Sequence, residues 1–159
     1  MGTRFEDVDQ STMMFVDNVK RQYFPELVNA KVKVIFDTKK RMSEGKVVLA
    51  RIQKTNDLLR HLTKNESEDL EGFDYIVYLD KVMWEHTEDL DKEKVVRHEF
   101  RHTLVDNESE TVPYKIQPHD IEDFEEEIRL NADDVGWRSR VTSLVYEIYE
   151  QMKDDRQGV

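Results

Sequence analysis

The chain has 159 residues, which suits one compact domain that buries about two thirds of its unfolded surface without crosslinks. It contains no cysteine, which excludes disulfides, thiolate metal sites and a cysteine nucleophile. A formal net charge of −11 argues against direct nucleic-acid binding, which needs a basic footprint. No apolar run approaches the length of a membrane span. The stretch Met1-Gly2-Thr3-Arg4-Phe5-Glu6-Asp7 has no apolar core of a secretory signal, and Glu6 stands where an acylation motif wants Ser or Thr. Together these features predict a cytoplasmic protein.

In chain order, residues 6–24 carry Met13, Met14, Val16, Val19, Tyr23 and Phe24 at helical spacings, so an amphipathic helix ends at Pro25. Residues 30–36 alternate and then run apolar, as a strand does. A turn around Gly45 leads to a second strand at 47–52. A short helix fits Thr55 to Leu62. Tyr75 to Leu79 reads as a third strand, either an edge for an added peptide strand or a plain core strand. Residues 82–91 read as a connector with a helix cap at Asp89 or Asp91. A helix then runs to about Asp106, followed by a polar excursion to Pro118. Ile121, Phe124 and Ile128 mark a further helix. Trp137, Val141, Leu144, Val145, Ile148, Tyr149 and Met152 mark the last one, with a frayed tail from Lys153 to Val159. This order describes a single α+β domain over residues 1–159.

The chemistry concentrates in His98-Glu99-Phe100-Arg101-His102, an H-E-x-x-H pattern inside a helix. Histidines four apart project from one helix face, so both imidazoles can converge on one ion. Zn²⁺ takes such nitrogens at ~2.0–2.1 Å. Glu99 sits beside the ion, where a carboxylate can take the proton of a metal-bound water. Val95, His98, His102 and Val105 form one apolar stripe, and Val96, Phe100 and Leu104 a second, so the histidines point inward. Arg97 and Arg101 leave by another side.

A catalytic zinc usually keeps three protein ligands and one open position. His119 is the favoured third, because Pro118 breaks the backbone just before it and an acidic helix start follows. Asp120, Glu122 and Glu126 are the competing carboxylates, and Asp120 could instead orient His119 or cap the helix. His61 reads as solvated and His86 as a loop or capping residue. Tyr114 and Arg129 are candidates to stabilise an oxyanion. Asp106, read as one helical turn beyond His102, is a candidate acceptor for a ligand imidazole N–H.

His98-Glu99-Phe100-Arg101-His102, then His119-Asp120-Ile121-Glu122-Asp123-Phe124, then Gly136-Trp137, resembles the pattern of the phage metallopeptidase family. The chain is also more distantly similar to the SprT-like minimal zincins. The resemblance implies a small zincin fold, zinc at His98, His102 and His119, Glu99 as general base, and a peptide or protein substrate. The alternative is a phage-encoded metal-binding or host-factor-binding protein of zincin fold that does no hydrolysis. Oligomeric state is not legible in the sequence.

Overall fold

Asp80 ends one strand and starts a helix, and this junction shows how the fold is assembled. Its carboxylate accepts the backbone N–H of Met83 at 2.8 Å, capping the helix that follows. The computed structural model describes residues 3–106, 113–117, 125–132, 134 and 136–157, without the side chains of 125, 126, 128 and 154–157. The elements are β1 (Phe5–Asp7), α1 (Gln10–Tyr23), β2 (Val32–Asp37), β3 (Met42–Ser43), β4 (Lys46–Val47), β5 (Ala50–Lys54) and α2 (Asp57–Thr63). They continue with β6 (Tyr75–Asp80), α3 (Lys81–His86), α4 (Asp89–Arg101), β7 (Thr103–Val105), β8 (Tyr114–Ile116), α5 (Glu125–Leu130) and α6 (Trp137–Gln157).

The main sheet has the order β1-β2-β6-β5. β2 and β6 run parallel, while β1 and β5 are antiparallel to their neighbours. The architecture is α+β, as the sequence predicts. Tyr75, Val77 and Leu79 alternate along β6 and are almost fully buried. Phe24, at the end of α1, meets Phe100 of α4 with ring centroids 5.5 Å apart. Val95 and Val96 of α4, with Trp137, Val141 and Val145 of α6, extend the same core. No helix among the described residues is long and apolar enough to cross a membrane.

Several boundaries differ from the sequence pattern, each for a physical reason. β1 has three exposed residues and therefore no periodicity to detect. The strand expected at 47–52 is split into β4 and β5. β3 and β4 form a small hairpin whose turn, Glu44-Gly45, has φ of 52° and 77°, the left-handed pair such turns require. The connector expected after Val82 contains α3. The motif helix stops at Arg101, with His102 as its C-cap and β7 immediately beyond. The β-branched residues Thr103 and Val105 find ladder partners in β8. Asp106 thus follows a strand and is not one helical turn beyond His102. β6 is paired on both sides, so it is an interior strand, and β5 is the edge. α6 continues past Lys153 to Gln157, so that stretch is helical where a frayed tail was expected.

Candidate metal centre

His98 and His102 come from the last turn of α4 and its C-cap. Their ring centroids are 5.4 Å apart with an interplanar angle of 77°. His98 is buried and His102 half-buried. The C-terminal end of a helix carries partial negative charge, which favours a cation there. Both rings border a cleft of about 570 Å³, together with Glu99, Ala50, Arg51, Ile52 and Arg138. Ile116 and Gln117 complete its described lining.

Each imidazole has a defined partner. His102 Nδ1 is 2.8 Å from the carbonyl oxygen of Gln117. A carbonyl only accepts, so Nδ1 carries a proton, and in the neutral ring the lone pair lies on Nε2. A backbone carbonyl on the distal nitrogen is the arrangement that orients a metal-ligating histidine. Gln117 is held in turn, its backbone N–H donating to the His102 carbonyl at 2.6 Å and its Nε2 to the Arg101 carbonyl at 2.9 Å. His98 Nδ1 lies 3.0 Å from Nη1 of Arg138. A guanidinium only donates, so this nitrogen is unprotonated and already faces a cation.

Glu99 is buried beside them. Burial pushes its carboxyl up to about 8, against the opposing charges of Arg138 and Arg51. A carboxylate so perturbed in a cleft is suited to exchanging protons near neutral pH.

The other predicted residues are dispersed. Asp106 accepts from Lys115 Nζ at 2.8 Å across the β7–β8 hairpin. Tyr114 packs edge-on against Tyr75, with centroids 5.9 Å apart, and is not part of the described cleft lining. Arg129 is exposed on α5, also away from that lining. His61 is exposed on α2, and His86 is exposed at the end of α3 with Nδ1 2.8 Å from the Val82 carbonyl. His119, Asp120 and Glu122 lie outside the described residues, as does the side chain of Glu126. Among the described residues no three His, Asp or Glu side chains form a group able to hold a metal.

Sequence reasoning missed Arg51, Arg138, Gln117 and Glu127. Arg138 carried a usable signal, since Arg138, Val141 and Val145 share the i, i+3, i+7 spacing of a buried stripe. Glu127 is fully buried on α5, held by Arg97 Nε at 3.0 Å and Arg101 Nε at 2.9 Å. The two arginines that leave α4 by its other side thus dock α5 against it.

The family described as "Putative phage metallopeptidase" matches residues 5–152, and the chain belongs to that family. No curated protein matches the chain, and no solved structure does. That description suggests a metal-dependent enzyme that hydrolyses peptide bonds.

Proposed function

We infer that this protein is a zinc-dependent peptidase, with Glu99 as the proton carrier and His98, His102 and His119 as metal ligands. The observation that carries this reading is a buried Glu99 between two imidazoles that open on one cleft. The donor set fits zinc: two imidazoles, one oriented by a backbone carbonyl. His119 is two residues beyond Gln117, a chain reach of at most ~7 Å from a residue bonded to His102. That reach favours His119 over Glu122 and Glu126, which lie farther along the chain.

When bound, zinc supplies a Lewis acid that acidifies water and polarises a carbonyl. Glu99 takes the proton of the attacking water and returns it to the leaving amine. Its burial excludes bulk water from that transfer. His98 can offer its Nε2 lone pair only with its proton on Nδ1, and this ends the contact with Arg138.

The substrate's main chain has a place to lie. Pairing of Leu49 with Asp80 sets the ladder phase, which turns the backbone N–H and C=O of Ala50 and Ile52 away from β6. No described strand pairs with that edge of β5. An extended peptide can add there, beside Glu99. The test is cleavage of an unbiased peptide library, lost on chelation and restored by zinc. Absence of any cleavage by protein with zinc bound contradicts the reading.

A further inference from the structure

Arg51 and Arg138 stand apart from most of the described arginines. Arg4, Arg41, Arg60, Arg97, Arg101 and Arg140 each pair with a carboxylate. Among the described residues Arg51 and Arg138 pair with none, and both line the cleft that holds His98, Glu99 and His102. In a chain of net charge −11, acids are abundant. Two arginines with no ion-pair partner among the described residues, at one place beside the buried Glu99, mark a local cationic wall in an acidic protein.

Arg51 is held in position without being neutralised. Its guanidinium lies 4.6 Å from the ring centroid of Tyr78, its cross-strand partner. Its Nε is buried and has no hydrogen-bond partner among the described residues. A buried donor left unmade is costly, and an incoming acceptor relieves that cost. Glu99 shares the cleft and feels both guanidinium charges without forming an ion pair with either, and the other nearby acids are committed elsewhere. Asp37 pairs with Arg4 and Arg41, and Asp80 accepts from Tyr149 and Met83. Arg138 Nη1 lies 3.0 Å from His98 Nδ1, which leaves its remaining N–H groups to face the cleft it lines.

We propose that Arg51 and Arg138 form a carboxylate-recognition site that selects anionic peptides for this cleft. The reasoning rests on the peptidase reading. A planar guanidinium matches a carboxylate with two parallel N–H donors, which gives geometry as well as charge. Arg51 belongs to β5, the free edge along which an extended substrate lies. The carboxylate recognised is that of an Asp or Glu side chain or of a free C-terminus.

The test uses zinc-loaded Glu99→Gln protein, so binding is read without turnover. Labelled peptide pairs carry Glu or Gln at successive positions, each made with a free and an amidated C-terminus, and binding is followed by anisotropy. The anionic member of at least one pair should bind about tenfold tighter. Arg51→Gln and Arg138→Gln should each erase most of that preference, and Arg138→Lys should keep part of it. Zinc is measured in every variant. If Arg138→Gln loses zinc, Arg51→Gln decides, since Arg51 has no hydrogen bond to a described histidine. Preference that follows only the amidation state assigns the site to a C-terminus, and preference at an internal Glu assigns it to a side chain. Equal binding of all pairs, no binding at all, or a preference that survives loss of either arginine overturns the proposal. Wild type that cleaves a library with no acidic preference sinks this site but not the peptidase. Acid-selective binding with no cleavage by wild type does the reverse.

Discussion

His102 Nδ1 lies 2.8 Å from the carbonyl oxygen of Gln117, a residue fifteen positions away in sequence. This one contact fixes the histidine tautomer and ties the chain down beside the cleft, just before Pro118 and His119. It joins the motif helix to the segment expected to supply the third ligand.

The first prediction follows from that link. His98→Ala, His102→Ala and His119→Ala should each abolish tight zinc binding, while Glu122→Ala and Glu126→Ala leave it nearly unchanged. Asp120→Ala should be intermediate. Metal analysis after gel filtration should find about one zinc per wild-type chain. Affinity should fall as the pH is lowered, because only neutral imidazole binds. Full zinc retention in His119→Ala removes it from the ligand set.

Glu127 supplies the second. It is a fully buried carboxylate clamped by Arg97 and Arg101. Glu127→Ala leaves two guanidinium groups facing a void and should cost about 3–5 kcal/mol. Urea denaturation measures this. Gln117 and Glu127 anchor the two ends of the stretch that contains His119, so zinc affinity should weaken in the same variant. A loss of under about 1 kcal/mol would mean that the clamp is solvated and not structural.

Asp80 gives a pH dependence. Burial raises its carboxyl to about 6, although the Tyr149 hydroxyl donates to it at 2.6 Å. The unfolded value is about 3.9, so the folded state holds the proton more tightly. This contribution is present below about pH 4 and is lost as pH rises to about 6. Asp80→Asn keeps an acceptor for Met83 and cannot ionise. Wild type should therefore lose about 2–3 kcal/mol relative to Asp80→Asn between about pH 4 and pH 7. A flat difference between their stabilities would show that the carboxyl is not desolvated.

The motif and the core stripes were legible because they rest on local periodicity. Val95 and His98 announce one inward helix stripe, Val96 and Phe100 a second beside it, and Trp137, Val141 and Val145 the stripe of the last helix. What was not legible depends on long-range pairing. β1 and β8 have three residues each and exist through pairing, β1 with the distant β2 and β8 with β7 across a polar excursion. The helix end at Arg101 is set by the ladder that β7 makes with β8, so Leu104 and Val105 looked like helix. Tyr114 and Arg129 were chosen by chemical type, yet strand pairing and helix docking carry them away from the described cleft lining. Arg51 reached that lining because β5 is a sheet edge, which alternation alone does not reveal.

The central claim is that Glu99 moves the proton in peptide hydrolysis. The most direct measurement compares zinc-loaded wild type and Glu99→Gln on the same unbiased peptide library by mass spectrometry, with zinc content and folding confirmed in both. The account predicts zinc retained in both proteins, defined cleavage by wild type, and a loss of at least about a hundredfold in Glu99→Gln. Equal cleavage by the two proteins, or none by zinc-loaded wild type, would contradict it.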